Sequence, residues 1–340
     1  MEGSARDLLE YRKETAGKRT KLALVLLSLL ALTAVWRITQ GEWAIPLARI
    51  AELISPFLSG EDLSSPEALV VRSVRLPRFL AAAGTGGLLA VSGVVLQGLL
   101  ANPLAEPYTL GIASGAAFGG ALGFFFGSFA VTPAAFAGAL FALWLVGVIA
   151  WRSGGGGAYI VLAGIITNAV LSAGVTFLKA IADDKLGAIV LWLMGSISGA
   201  SPVSALMAWA GAAFVFLPAF IYGRQLDAVS LGEGRGELLG VDERRLRRTL
   251  LFFSSIATAL AVSCFGIIGF VGLVVPHLLR TLIGPASRPL LVFSFLGGAL
   301  LLSAADGFAQ RMGELPVGVI TALIGGPFFC WILAGRRRAA

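Results

Sequence analysis

Long apolar runs alternate with short polar breaks along almost the whole chain, a pattern that predicts helices in lipid rather than a water-facing fold. Ten apolar segments stand out, at about 22–40, 79–100, 108–129, 133–151, 159–181, 202–222, 249–267, 270–280, 289–307 and 316–334. Most approach the ~20 residues that a helix needs to cross about 30 Å of hydrocarbon. The eighth, Phe270 to Arg280, is too short to span alone, and the glycines and Pro276 around it make a poor continuous helix. Charge decides whether it counts. With ten crossings and a cytoplasmic N-terminus, only eight of the 26 Lys and Arg residues fall outside: Arg37, Arg49, Arg72, Arg75, Arg78, Lys179, Lys185 and Arg311. That agrees with the excess of basic residues on the cytoplasmic side of membrane proteins. Nine crossings would export Arg336 to Arg338, so the short segment reads as a half-length crossing shielded by neighbouring helices. The expected fold is an all-α polytopic membrane protein of about ten transmembrane helices, N- and C-termini cytoplasmic. Residues 1–340 form one transmembrane domain, with 1–21 a cytoplasmic tail and 223–248 a cytoplasmic loop.

Composition agrees. Charged residues make up 13% and hydrophobic ones 57%, against about 25% charged in a soluble chain. The net charge of +7 does not point to nucleic acid, because the basic residues sit at the ends of apolar runs rather than on one polar face. Cys264 and Cys330 lie inside apolar runs and read as buried free thiols, with neither a disulfide framework nor metal spacing. A single histidine, His277, excludes a histidine-cluster site and reads as a structural hydrogen-bonding group. The polar stretch 1–21 is too long for the basic start of a cleaved signal, and no small-x-small site follows Leu22 to Trp36, so a first membrane helix is expected.

Several short motifs interrupt the apolar pattern. Arg75-Leu-Pro-Arg78 precedes an apolar helix that runs to Gln97, and Asn102-Pro-Leu-Ala105 and Glu106-Pro107 follow it. Pro103 and Pro107 break the helix there, and Asn102 can cap the freed groups. The spacing is compatible with a sharp inter-helix turn and with a turn lining a pathway. Gly111, Gly115, Gly119, Gly123 and Gly127 recur every four residues, a stripe for close helix packing. Gly154 to Gly157 lacks the Lys-Ser/Thr of a phosphate-binding loop and reads as a flexible link. Asp306 at a membrane edge is expected to pair with Arg311, since a buried acid is costly alone. The longest charged interruption is Gly223 to Arg248, with Arg224, Arg235, Arg244, Arg245, Arg247 and Arg248 among five acids. Neither a nucleotide-binding loop, nor paired carboxylates, nor a nucleophile with its base is visible.

Taken in order, these motifs resemble the permeases of ATP-binding-cassette importers for iron-siderophores, haem and vitamin B12. The matching elements are Arg-Leu-Pro-Arg at 75–78, Ser92-Gly93, Gln97, Asn-Pro-Leu-Ala at 102–105, Leu-Gly at 110–111 and Leu239-Gly240-Val241, with 269–277 and Glu314-Leu-Pro-Val-Gly318 completing the set. The resemblance covers roughly residues 20 to 335. It implies a homodimer with the pathway at the dimer interface, two cytoplasmic ATP-binding subunits and an extracytoplasmic substrate-binding protein, in the cytoplasmic (inner) membrane. ATP-Mg would be bound by the partner subunit and no cofactor or metal by this chain, which is not itself an enzyme. The loop 223–248 would supply coupling helices through Leu226, Leu231, Gly232, Glu233, Leu238, Leu239 and Gly240. Arg75 and Arg78 match arginines that dock the binding protein. A third family arginine normally follows the late aspartate by four residues; Gln310 stands there, leaving Arg311 as the candidate. The cytoplasmic gate would be Asn102 and Leu104 together with Gly157 and Ala158. Ferric siderophore is the first expected cargo, with haem, cobalamin and molybdate behind it. Two other classes compete: an ion-coupled secondary transporter, which needs ionisable residues within the bundle, and a non-transporting membrane scaffold.

Overall fold

A computed structural model describes residues 2–41, 43–46, 48–50, 65–153, 157–232 and 234–336; of 2–15, 157 and 331–336 it describes the backbone only. The described residues build an all-helical bundle. In chain order the helices are α1 (Glu2–Thr39), α2 (Pro66–Leu99), α3 (Ile112–Phe126), α4 (Ser128–Arg152), α5 (Gly157–Ala180), α6 (Leu186–Leu193) and α7 (Pro202–Ile221). Then come α8 (Gly223–Val229), α9 (Arg235–Leu238), α10 (Glu243–Phe265), α11 (Val271–Ile283), α12 (Ser287–Arg311) and α13 (Val317–Arg336). Seven described helices are long and apolar enough to cross a membrane (α1, α2, α4, α5, α7, α10 and α12), and α3, α11 and α13 supply three shorter apolar stretches. The chain is therefore an integral multi-pass membrane protein.

Three boundaries differ most from the sequence reading, and the first is α10, which starts at Glu243 rather than near 249, so that Arg244, Arg245, Arg247 and Arg248 lie on it and not in the loop. Helix α1 runs back through the polar tail, whose Leu, Glu, Arg and Lys residues are good helix formers. Helix α2 starts at Pro66 rather than near 79: Ser65 caps it, Pro66 sits in its first turn, and a π-turn over Val71–Arg75 carries it into the apolar run. Helix α6 was not foreseen, because eight apolar residues are too few to register as a span. Cys330 is exposed and Cys264 half-buried, so burial was the wrong expectation for these free thiols.

Helix α2 is the axis of the bundle. Its apolar window is 94% buried, whereas those of α4, α5 and α7 are 28–33% buried and that of α1 is 11% buried. Small residues allow this. A Cβ on Gly86 would overlap the carbonyl of Gly298 in α12, and one on Gly93 would overlap that of Gly272 in α11. On the second layer, Gly115 and Gly119 lie directly on the α4 backbone at Gly138 and Ala134, and a Cβ on Gly123 would come within 2.8 Å of Val131 Cα. The end members of that stripe act differently: Gly111 (φ 74°) and Gly127 (φ 115°) sit at the ends of α3, in conformations that disfavour other residues.

The eighth apolar segment is a continuous helix through Pro276, contrary to the expectation from its glycines and proline, and the break falls before it. Helix α10 ends at Gly266, an extended stretch descends to Phe270, and α11 begins at Val271. Backbone buried in this way needs partners. Tyr108 supplies two: its hydroxyl donates to Ile268 O at 2.8 Å and accepts from Ile268 N at 3.1 Å. Ser196 N donates to Phe265 O at 2.8 Å. Gln97 then ties α11 to α2, donating to Gly272 O (3.2 Å) and accepting from Arg280 (2.9 Å).

Candidate functional site

At the end of the bundle that carries α8 and α9, the Asn-Pro turn and the start of α5 meet. Asn102 N donates to Gln97 O, which closes α2, and Asn102 Oδ1 accepts from Leu104 N at 3.0 Å. Ala101 takes φ 44°, a strained value for a residue with a side chain. A cavity of about 520 Å³ opens beside the turn, lined by Leu99, Leu100, Ala101, Asn102, Ala158, Val161, Leu162, Ile165, Val229 and Arg247. Two of the four expected gate residues, Asn102 and Ala158, thus share one cavity. Leu104 is held by the turn but does not line it, and Gly157 begins α5. The walls are mostly aliphatic, with Asn102 and Arg247 the polar exceptions.

The charged loop folds as two short helices. Leu226 is fully buried in α8, and a Cβ on Gly98 would meet its Cδ1 at 2.8 Å. It anchors the loop to the end of α2 and is not itself on the surface. Leu231, Leu238 and Leu239 are 58%, 87% and 63% exposed. Gly232 (φ 127°) and Gly240 (φ 79°) bracket the segment in backbone conformations suited to glycine. Glu233 lies outside the described residues. Two features missed in the sequence hold this loop. Glu243 accepts from Gly236 N at 2.8 Å and Gly234 N at 3.4 Å, satisfying amides at the start of α9, and lies 3.8 Å from Arg247 on the cavity wall. Their i, i+4 spacing on α10 was the available signal.

At the opposite end, the expected pair of Asp306 with Arg311 does not form. Asp306 is 1% exposed and bound instead by Arg78 (2.8 and 3.0 Å) and by Arg37. Arg78 also donates to both Glu314 oxygens, at 2.9 and 2.8 Å, and Arg37 to Gln310. Two buried arginines are thereby neutralised by buried Asp306 and by Glu314, whose side chain is 48% exposed. Arg75 is likewise turned inward: it donates to the carbonyls of Ile38 (2.7 Å), Thr39 (3.2 Å) and Trp43, closing the end of α1. Docking a partner requires a presented guanidinium, and in this structure Arg75 and Arg78 are 8% and 5% exposed. The exposed one is Arg311, stacked 5.2 Å over the Trp36 ring and 3.4 Å from Gln40 Oε1. It lines a hollow of about 400 Å³ with Trp36, Arg37, Gln40, Gly307 and Glu314. Arg37 had no signal in its local sequence, since its partners lie 269 and 273 positions away.

A polytopic helical bundle with an aliphatic cavity at one end and a short-helix loop beside it matches one class among known proteins: the permeases of ATP-binding-cassette importers. The chain belongs to the FecCD transport family, whose model matches residues 26–335. It is 41% identical over 275 residues to the cobalamin import system permease protein BtuC of Halobacterium salinarum, covering 79% of this chain and 74% of that protein. It is 40% identical over 282 residues to the hemin transport system permease protein HmuU of Yersinia pestis, covering 78% and 83%. The molybdate import system permease protein MolB of Haemophilus influenzae is 34% identical over 324 residues, with 91% and 94% covered. Among solved structures, a metal-chelate type ABC transporter in an inward-facing conformation superposes with a TM-score of 0.82 at 32% identity, covering 93% of this chain and 99% of that one.

Proposed function

We propose that the chain carries a bulky metal chelate or corrinoid inward across the cytoplasmic membrane, as one half of a homodimer whose interface encloses the pathway. All ten apolar helices cross, both termini are cytoplasmic, and 223–248 faces the cytoplasm. Two ATP-binding subunits grip the loop through Leu231, Leu238 and Leu239 and the backbone at Gly232, Glu233 and Gly240, while Leu226 roots it in α2. ATP binding there favours one of two states of the dimer, and the bias is set by the partner's differential affinity for them. Asn102, Leu104, Gly157 and Ala158 form the inner gate. The observation that carries this reading is the cavity beside Asn102, because Val229 of the loop and Arg247 of α10 form part of its wall. Ferric siderophore is the first candidate cargo, ahead of haem, cobalamin and molybdate.

On the outer face a substrate-binding protein docks, with Arg311 as the presented contact. Arg75 and Arg78 hold that face from beneath. An ion-coupled carrier is less well supported: among the described residues the buried charged side chains are Arg37, Arg75, Arg78, Glu243, Arg247 and Asp306, all at one end or the other of the bundle. Co-expression with the cognate ATPase tests the proposal. A stable complex is expected from the wild-type chain, and Leu238→Glu combined with Leu239→Glu is expected to abolish it. An intact complex with the double variant would remove the coupling assignment. Gradient-driven uptake by the subunit alone would favour the ion-coupled class.

A further inference from the structure

Helix α12 joins the two ends of the molecule. It holds 25 residues, Ser287 to Arg311, and at 1.5 Å per residue spans about 37 Å. At its start, Asp227 of α8 accepts a hydrogen bond from Ser287 N at 2.7 Å. The next residue, Arg288, reaches back to the end of α7 and donates to Phe220 O at 3.1 Å and Ile221 O at 3.4 Å. Its guanidinium lies 5.3 Å from the centre of the Phe220 ring, and its stem covers Gly223, where a Cβ would come within 2.7 Å. The junction between α7 and the first loop helix is therefore fastened to the first turn of α12 by charge-assisted bonds running both ways. At the far end of the same helix, Asp306 and Gln310 hold Arg37 and Arg78, and Arg311 is presented to solvent. Midway, Gly298 lies against Gly86 of α2.

We propose that Asp227, the Ser287 amide and Arg288 form the joint through which the loop positions α12, and that α12 carries loop displacement to the outer docking face. Helix α2 completes a closed frame. It is tied to α12 through Arg78 and Asp306 at one end and through the Gly86–Gly298 contact midway. At the other end Leu226, beside Asp227, lies under Gly98. Such a frame moves as one body, so a shift of α8 cannot be absorbed locally. Asp227 and Arg288 are positioning residues. This inference rests on the reading of 226–239 as the ATPase-coupling segment.

Ser287 allows the joint to be cut without altering the loop. It is the first residue of α12, where proline is well accommodated, and the preceding Ala286 (φ −59°, ψ 122°) already has the extended backbone that proline requires before it. Ser287→Pro removes the N–H that Asp227 accepts, whereas Ser287→Ala keeps it. The measurement is the affinity of the cognate binding protein for the assembled complex, with and without ATP on the partner subunits. Coupling between distant sites is ordinarily about 5–150-fold in affinity. Ser287→Ala should retain the wild-type shift. Ser287→Pro should bring the shift close to none, with the complex still assembled. Arg288→Ala should act alike and stands in if the proline variant does not fold. An unchanged nucleotide shift in either assembled variant overturns the joint. If the wild-type chain assembles with no ATPase, the coupling reading itself fails and the joint falls with it.

Discussion

Asp306 accepts hydrogen bonds from two arginines lying 228 and 269 positions away in the chain, and only 1% of its surface is exposed. A carboxylate in that position is tolerated only because both arginines neutralise it, and each arginine in turn depends on it. Asp306→Ala would leave two buried guanidinium groups facing Glu314 and Gln310 alone. The expected cost is about 3–5 kcal/mol, the usual penalty for breaking a buried pair by removing one partner. Thermal unfolding of the detergent-solubilised chain measures it. The exposed pair of Arg49 and Glu67, at 2.9 Å, is the control: Glu67→Ala should cost under ~1 kcal/mol, because solvent screens it. Tyr108 makes a comparable case without charge. Tyr108→Phe strands both the N–H and the C=O of Ile268 in the extended stretch, at about 1–3 kcal/mol for each buried group left unmade. If that variant unfolds at the wild-type temperature, the stretch is satisfied by other partners.

Helix contacts in this bundle are set by where a side chain is absent. Gly93→Ala would drive a methyl into the Gly272 carbonyl and force α2 and α11 apart, breaking the Gln97 bridge at the same place. A well-packed core resists overfilling at about 1–3 kcal/mol; here the obstacle is backbone rather than a side chain that can rotate, so the upper part of that range or beyond is expected. Gly147→Ala on α4 meets nothing within 4 Å and should instead stabilise by about 0.5–1 kcal/mol through helix propensity. Comparing the two melting temperatures separates packing from propensity. The same contrast shows what could be read beforehand. Apolar length located the long helices, and the four-residue glycine spacing marked α3 as a close-packing helix without naming α4 as its partner, because both signals are local in sequence. The stretch at 266–270 was not legible because its backbone is fixed by distant partners, Tyr108 and Ser196, and the short α6 was missed because eight apolar residues are too few to register as a span. Asn102 and Ala158 were named through the turn and the family resemblance, and both line the cavity, while Glu243 and Arg247 were hidden as ordinary loop charges. Arg37 was invisible for the same reason as Tyr108.

Across the whole molecule, buried charge is confined to the two ends of the bundle among the described residues. The arginines at the end remote from the loop fall into two groups: Arg37, Arg75 and Arg78 are turned inward, and Arg49, Arg72 and Arg311 face outward. The Asp306 cluster together with Arg311 holds three positive groups (Arg37, Arg78, Arg311) against two negative ones (Asp306, Glu314), a local excess that would suit acidic groups on the partner proposed above. Complementary charge of this kind mainly raises the association rate and fixes orientation, and salt weakens it. Arg311 and Arg78 should therefore respond differently to substitution. Arg311→Ala should slow association of the binding protein and flatten its salt dependence, with the melting temperature near wild type, since it loses only a stacking contact and one long hydrogen bond. Arg78→Ala should lower the melting temperature first, by leaving Asp306 and Glu314 short of a partner, and should disturb docking only as the face loosens. Association rates at two ionic strengths, read beside melting curves for both variants, decide the matter. If Arg78→Ala leaves stability intact but abolishes salt-dependent docking, then the buried cluster opens to the partner, and the inward-turned arginines are themselves the docking contacts.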